Sequence, residues 1–397
     1  MIAVIGAGPA GLMAAETLAQ AGEAVTVFDQ MPSVGRKFLL AGRGGLNLTH
    51  SEILPNFLNR YGSDASPQLI DAVRAYPPER LRIWAEGLGQ TLFVGSSGRV
   101  FPKAMKASPL LRAWLQRLAT LGVTFRLRQR WLGFADDGAL LFEGAEPLRA
   151  EGVVLALGGA SWPKLGSDGH WTAVLAENGI PTTPLRPANA GLRIGWTEHF
   201  REKFAGTPLK SVAMRWQDRV SRGDGIISTY GMEGGLVYPL TSALHEATAS
   251  GGKVEVAIDL RPELSEPALA EKLRQIRPRD SLSTGLKRCL ALAPNAISLL
   301  REVSRDLPRD PGPLAHLIKH LPLTVTGTEG LGRAISTAGG VSWDEIDGRF
   351  MLKQLPGVFV AGEMLDWDAP TGGYLLQASF ATGFAAGQGM LDWRKPG

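Results

Sequence analysis

The 397-residue chain contains a single cysteine, Cys289. One thiol excludes an intramolecular disulfide framework and any zinc or iron–sulfur site built from cysteines. No run of about 18 uninterrupted apolar residues is present, so no membrane span is expected. No basic segment precedes the apolar Ile2-Ala3-Val4-Ile5, so no secretory signal is expected and a reducing cytoplasm is the expected compartment. The six histidines show no metal-ligand spacing, and no metal is expected. No Ser-His-Asp set or paired carboxylates stand out, so the catalytic residues stay unassigned. Neither sign of charge dominates, with 42 Lys and Arg against 38 Asp and Glu, a formal net of +4.

What the chain has in excess is glycine, 49 residues, beside 26 prolines. No Gly-X-Y period accompanies them, and their combined content falls short of low complexity. These glycines are therefore expected in tight turns or close against a ligand. The first cluster, Gly6-Ala7-Gly8-Pro9-Ala10-Gly11, follows the strand-like Ile2–Ile5. Leu12–Ala21 is rich in Ala and Leu, as a helix should be, and Gly22 is a plausible stop. Ala24–Phe28 reads as a second buried strand ending at Asp29, which completes a βαβ unit.

Gly6-x-Gly8-x-x-Gly11 between a strand and a helix, with Asp29 18 positions further on, is a dinucleotide-binding fingerprint. Gly6 permits the tight turn, Gly8 lets the backbone approach a pyrophosphate, and Gly11 allows close helix–strand packing. The helix N-terminus offers free N–H groups and about half a positive charge to the phosphates. Asp29 is suited to ribose hydroxyls and disfavours a 2′-phosphate. Both NAD and FAD satisfy these contacts. A second glycine-rich block near the other end, Val360-Ala361-Gly362-Glu363 and Pro370-Thr371-Gly372-Gly373-Tyr374, suits the far end of an extended dinucleotide and favours FAD. Glu363 is a candidate for the ribitol or pyrophosphate region, and a helix beginning near Gly373 is expected to face the flavin. No second Gly-x-Gly-x-x-Gly occurs, so electrons are expected from the substrate or from a transiently docked NAD(P)H.

Pro181, Pro184 and Pro187 mark a boundary, after which short β-branched runs such as Lys253–Ile258 suggest an antiparallel sheet or barrel. Helical spacing broken by prolines follows from Pro267 to about His320. The expected class is α/β, a Rossmann-like FAD-binding domain formed by both chain ends, with an inserted β-barrel-like domain carrying a small helical subdomain. The expected boundaries are 1–187 for the first part of the FAD domain, 188–265 for the β-barrel-like substrate domain and 266–320 for the helical insert. The β domain returns over 321–340 and the FAD domain over 341–397. Helices are expected over 67–88 and 108–121.

Five blocks carry a family resemblance: GAGPAG (6–11), RKFLLAGRGGLN (36–47), GRVFPKAMKAS (98–108), ALGGASWPKLGSDG (156–169) and AGEMLDWDAPTGGYLLQASFATGFAAG (361–387). The chain resembles the YhiN/BaiN-like FAD-dependent oxidoreductases, which include aminoacetone oxidase. The resemblance implies the FAD domain and inserted barrel just described, with either oxidation of a small amine or reduction of an activated double bond. Leu46 stands where the family usually carries the cysteine of Gly-Gly-Gly-Arg-Cys-Asn, so a role for that cysteine does not carry over.

The candidate cofactor contacts are Gly6, Gly8, Pro9, Ala10, Gly11, Asp29, Gln30, Arg36, Lys37, Gly42, Arg43, Gly44, Asn47, Thr49, Ala156, Gly158, Gly159, Gly362, Glu363, Gly372, Gly373 and Tyr374. Arg36, Lys37 and Arg43 suit the pyrophosphate or the N1 edge of the flavin, but also suit solvent. Arg99 and Lys106 suit a substrate anion or structural ion pairs, His170 is a candidate acid or base, and Cys289 reads as a core residue. Residues 261–320 hold 11 Lys and Arg against seven acids. That excess suits an RNA-facing surface, in keeping with relatives of the resembled family that reduce uridine in ribosomal RNA, or a solvated helical face. A non-enzymatic FAD-binding sensor is the remaining alternative.

Overall fold

The computed structural model describes residues 1–41 and 44–395, so Gly42 and Arg43, both named as cofactor candidates, lie outside the described residues. The chain divides into two compact units, Met1–Arg186 with Ser336–Gly397, and Pro187–Ile335.

In the first unit five strands form one sheet in the order Val358–Val360, Gly152–Leu155, Ile2–Ile5, Val25–Asp29 and Thr124–Leu127. Every adjacent pair is parallel. The central Ile2–Ile5 is buried along its whole length, which is why it reads as an unbroken apolar run rather than an alternation. The register sets Ile5 beside both Phe28 and Leu155, and Leu155 beside Val360. The carboxyl ends of four strands therefore share one edge of the sheet, where parallel α/β sheets bind their ligands.

The helix Pro9–Gln20 opens with proline at its first turn, where the missing N–H is not needed. The long helix Tyr374–Arg394 lies against it through glycine: a Cβ on Gly383 would collide with the Ala10 carbonyl, and one on Gly387 would meet Thr17. Buried Glu16 accepts from the indoles of Trp84 and Trp114 at 3.0 and 2.6 Å and pairs with Arg117 at 3.1 Å, tying two further helices to the first. The expected helix over 67–88 is two helices, Pro67–Ala75 and Pro78–Glu86. Pro77 and Pro78 cause the break, since proline bars the α conformation from the residue before it.

In the second unit six antiparallel strands close into a barrel. Their order is Leu192–Ile194, Gly231–Glu233, Arg219–Ile227, Pro208–Trp216, Val254–Asp259 and Leu321–Thr328. Leu192, Met214, Ile227, Met232, Val256, Ile258 and Val325 fill its core. Between the last two strands the chain runs through four helices, Glu266–Arg274, Leu282–Leu290, Pro294–Val303 and Pro311–Lys319. Lys319 joins the last of them to the barrel by a 2.6 Å ion pair with the fully buried Asp259. Cys289 is half-buried and packs against this core. Among the described residues, no helix is long and apolar enough to cross a membrane.

Candidate functional site

A cleft of about 1040 Å³, its open mouth included, lies at the carboxyl edge of the parallel sheet. Its floor is the turn between Ile5 and the Pro9–Gln20 helix. Gly6 adopts φ +107°, and a Cβ there would strike the Ala156 carbonyl. A Cβ on Gly11 would strike the carbonyl of Gly6, whereas nothing lies within 4 Å of the position a Gly8 Cβ would take. Gly8 caps the helix without a side chain, so the first-turn N–H groups face the cleft uncapped.

Asp29 ends its strand at one side of the cleft. Its Oδ2 accepts from the Ala7 N–H and its Oδ1 from the Met31 N–H, both at 2.8 Å. Burial pushes its carboxyl above the ordinary aspartate range, against those two bonds and the charge of Arg36. Each oxygen keeps a lone pair, so the carboxylate can still accept from a hydroxyl.

On another side Lys37 Nζ donates to Glu363 Oε2 at 2.6 Å and to Ser161 Oγ at 2.5 Å. Glu363 also accepts from the Thr337 N–H at 3.0 Å and the Gly159 N–H at 3.3 Å. Thr337 Oγ1 in turn accepts from the N–H groups of Ala160 and Ser161. This network joins four distant segments of the chain. Glu363 is thus engaged by protein donors and holds Lys37 and the Gly158-Gly159 turn while it also lines the cleft.

Among the described residues, twelve cofactor candidates from the sequence line this cleft: Gly6, Gly8, Pro9, Ala10, Asp29, Gln30, Arg36, Lys37, Ala156, Gly158, Gly362 and Glu363. Gly11 packs behind it, and Gly159 packs against Thr337. His170 also lines the cleft and is exposed.

Thr49, Gly372, Gly373 and Tyr374 belong to a separate cluster. Gly373, at φ +100°, caps the Tyr374–Arg394 helix with its Cα against the Thr49 backbone, and Thr49 donates to Gln377 at 2.8 Å. Tyr374 donates to Glu52 at 2.5 Å, His50 stacks on its ring, and Arg60 pairs with Glu52 at 2.9 Å. Burial works to raise Glu52, but the bonds from Arg60 and Tyr374 and the Arg60 charge outweigh it and hold the carboxyl below its ordinary range. Burial and Glu52 push the Tyr374 hydroxyl well above the usual phenol range. Gly44 is exposed and Asn47 half-buried, its Oδ1 without a partner among the described residues. Leu46 is fully buried in the core, so the family's cysteine position is a packing site in this chain.

Sequence reasoning missed Trp131, Trp171 and Thr337, which sit in none of the motif blocks, and did not single out Ser161 and Ser167 within the 156–169 block. It also passed over the spacing of one histidine pair. His316 and His320 stand one helical turn apart, a ligand spacing, with Glu266 of a neighbouring helix within reach of both.

A dinucleotide fits this cleft by three observations. The cradle at Gly8 has room that a Cβ would fill, the helix N-terminus is uncapped, and Arg36 Nε, Ser167 Oγ and Trp131 Nε1 are buried lining atoms without partners among the described residues. Fold and cleft together define a dinucleotide-binding α/β protein. The sequence matches the family described as HI0933-like protein Rossmann domain over residues 1–389, and the chain belongs to that family of FAD-dependent oxidoreductases.

The chain is 25% identical to the 3-dehydro-bile acid delta(4,6)-reductase of Clostridium scindens, over 98% of this chain and 99% of that protein. It is 26% identical to the ribosomal RNA dihydrouridine synthase of Escherichia coli, over 98% of this chain and 97% of that protein. Its fold is similar to a flavocytochrome c3 fumarate reductase in the open conformation, with TM-score 0.55 and 16% identity over 99% of this chain and 78% of that one. It is also similar to the 3-ketosteroid-delta4-(5alpha)-dehydrogenase of Rhodococcus jostii RHA1, with TM-score 0.53 and 15% identity over 99% and 96% of the two chains.

Proposed function

We propose that this flavoenzyme reduces an activated carbon–carbon double bond in a small organic substrate. The flavin part of this reading rests on the cleft, which offers a helix N-terminus, Asp29 and the Lys37–Glu363 pair from both ends of the chain to one elongated ligand. Bound FAD supplies two-electron exchange there. Gly6, Gly8, Pro9, Ala10 and Gly11 form the pyrophosphate turn, and Asp29 with Gln30 takes the ribose end. Lys37, held by Glu363 and Ser161, presents positive charge to an anionic part of the cofactor, and Arg36 brings an unpartnered buried Nε. Gly42, Arg43, Gly44, Asn47, Thr49, Gly372, Gly373 and Tyr374 are assigned to the flavin end from the two glycine-rich sequence blocks that carry them.

Reduction of a double bond is favoured over amine oxidation because relatives matched along their whole length are a delta(4,6)-reductase and dihydrouridine synthases. The electrons are assigned to a transiently bound NAD(P)H, since the chain has one dinucleotide fingerprint. A cytoplasmic setting goes with this reading and with the lone cysteine.

A second reading, reduction of a base in ribosomal RNA, has support in the two dihydrouridine synthases. Against it, part of the basic excess over 261–320 is engaged internally: Lys319 pairs with Asp259, and Arg261 donates to the Leu290 carbonyl.

Anaerobic titration separates the readings. NADH or NADPH is expected to bleach the flavin spectrum, and a conjugated enone to restore it. Bleaching by an amine with no response to NAD(P)H would overturn the reductive reading. Restoration by ribosomal RNA, with steeply salt-dependent binding, would favour the RNA base. A flavin that no reductant bleaches would indicate a sensor.

A further inference from the structure

We propose that Glu266, His316 and His320 form a site for a divalent transition metal of the zinc type, which pins the first helix of the four-helix segment to the last. Zinc-binding side chains in this class are imidazole nitrogens and carboxylate oxygens at about 2.0–2.2 Å from the ion, which sets neighbouring ligand atoms about 3.4 Å apart. His316 Nδ1 lies 3.3 Å from Glu266 Oε1, and His320 Nε2 lies 3.6 Å from Glu266 Oε2. One ligand atom from each residue falls within 4.8 Å of the others, close enough for a single ion, with Glu266 turning a different oxygen to each imidazole.

The backbone holds this arrangement. His316 lies in the last turn of Pro311–Lys319 and His320 is its C-cap, the His320 N–H bonds the His316 carbonyl at 2.8 Å, and the two rings meet at a tilt with centroids 4.8 Å apart. Glu266 is the first residue of Glu266–Arg274, fixed by its Ser265 cap. Lys319, the nearest cation in sequence, turns its ammonium to Asp259 and the carbonyls of Arg261 and Leu264 and so adds no opposing charge. As an ion pair between exposed groups the cluster would stabilise little. As three neutral or anionic ligands it leaves one coordination position for water, a common arrangement for zinc and for cobalt, nickel or copper.

Glu266 and His316 are separated by 50 residues, so the ion would close the helical segment onto itself across its two ends. Binding that requires the folded arrangement stabilises it by mass action.

The test uses the full-length protein, free of any polyhistidine tag and treated with a chelator. Titration with Co²⁺ is expected to saturate at one equivalent with the visible bands of a low-symmetry nitrogen–oxygen site, and Zn²⁺ to bleach those bands by displacement. His316→Ala, His320→Ala and Glu266→Gln should each weaken binding at least about tenfold, and the double histidine variant should abolish it. Zn²⁺ should raise the thermal midpoint of the wild type and leave that of the double variant unmoved. Flavin content should be equal in both, because the three side chains are surface groups outside the cleft. Co²⁺ binding of equal strength in the double variant, or no bands and no zinc-dependent shift in the wild type, overturns the proposal.

Discussion

Two glycines three residues apart, Gly8 and Gly11, separate folding from cofactor binding at the scale of single residues. A methyl on Gly11 would collide with the Gly6 carbonyl, while a side chain on Gly8 would project into free space in the cleft. The Gly8 backbone, at φ −85°, is open to any residue. Gly8→Val is therefore expected to fold, to match the wild type in stability when both are flavin-free, and to purify with little flavin, whereas Gly11→Ala should lose both stability and flavin. Urea midpoints beside flavin-to-protein ratios from absorbance check this. Equal flavin content in Gly8→Val and wild type would remove the Gly8 assignment.

Glu52 supplies a pH dependence at the same scale. Its carboxyl is held below the ordinary range in the folded protein, so its contribution to stability is present above that range and is lost as the pH falls through it. Tyr374, raised in the folded state, acts in the opposite sense and loses its contribution as the pH climbs past the usual phenol range. Urea midpoints measured across pH should fall on the acid side less steeply for Glu52→Gln than for wild type, and identical acid limbs would contradict the pairing.

Among elements, the contact between the two helices from opposite chain ends decides how closely the sheet edge is closed. Alanine in place of Gly383 gains about 1 kcal/mol of helix propensity, but its Cβ would enter the Ala10 carbonyl. Overpacking of that kind costs about 1–3 kcal/mol, so the collision is expected to win and Gly383→Ala to destabilise. Because Ala10 lies on the turn that lines the cleft, flavin affinity should fall with it. A stabilised variant in chemical denaturation would show that the helices can separate at little cost. Gly387, against Thr17, should show the same sign with a smaller effect, since a side chain yields more easily than a carbonyl.

For the whole molecule, two units with separate apolar cores share one chain. The cleft is lined by residues of the first unit, so bound FAD should stabilise that unit by mass action. Calorimetry with added FAD is expected to shift one component of the unfolding transition upward more than the other, and zinc to act on the component that FAD leaves. A uniform shift of a single sharp transition would show that the two units unfold together.

The sequence by itself determined the α/β class, the parallel strands with their glycine turn and acidic end, and the presence of a barrel with helices. These are local properties: apolar runs, proline breaks and a fingerprint whose spacing follows from one strand, one turn and one helix. It also carried the position of Leu46 as a departure from the family. Only the tertiary structure decided which residues meet across large separations. Lys37, Ser161, Thr337 and Glu363 form one hydrogen-bonded network, yet no periodicity links positions more than 100 residues apart. The same reason hid the site at Glu266, His316 and His320, because a single glutamate acquires meaning only when another helix lays two imidazoles beside it. Local pattern reports the conformation of a segment, and long-range pairing is set by how the buried faces of those segments fit.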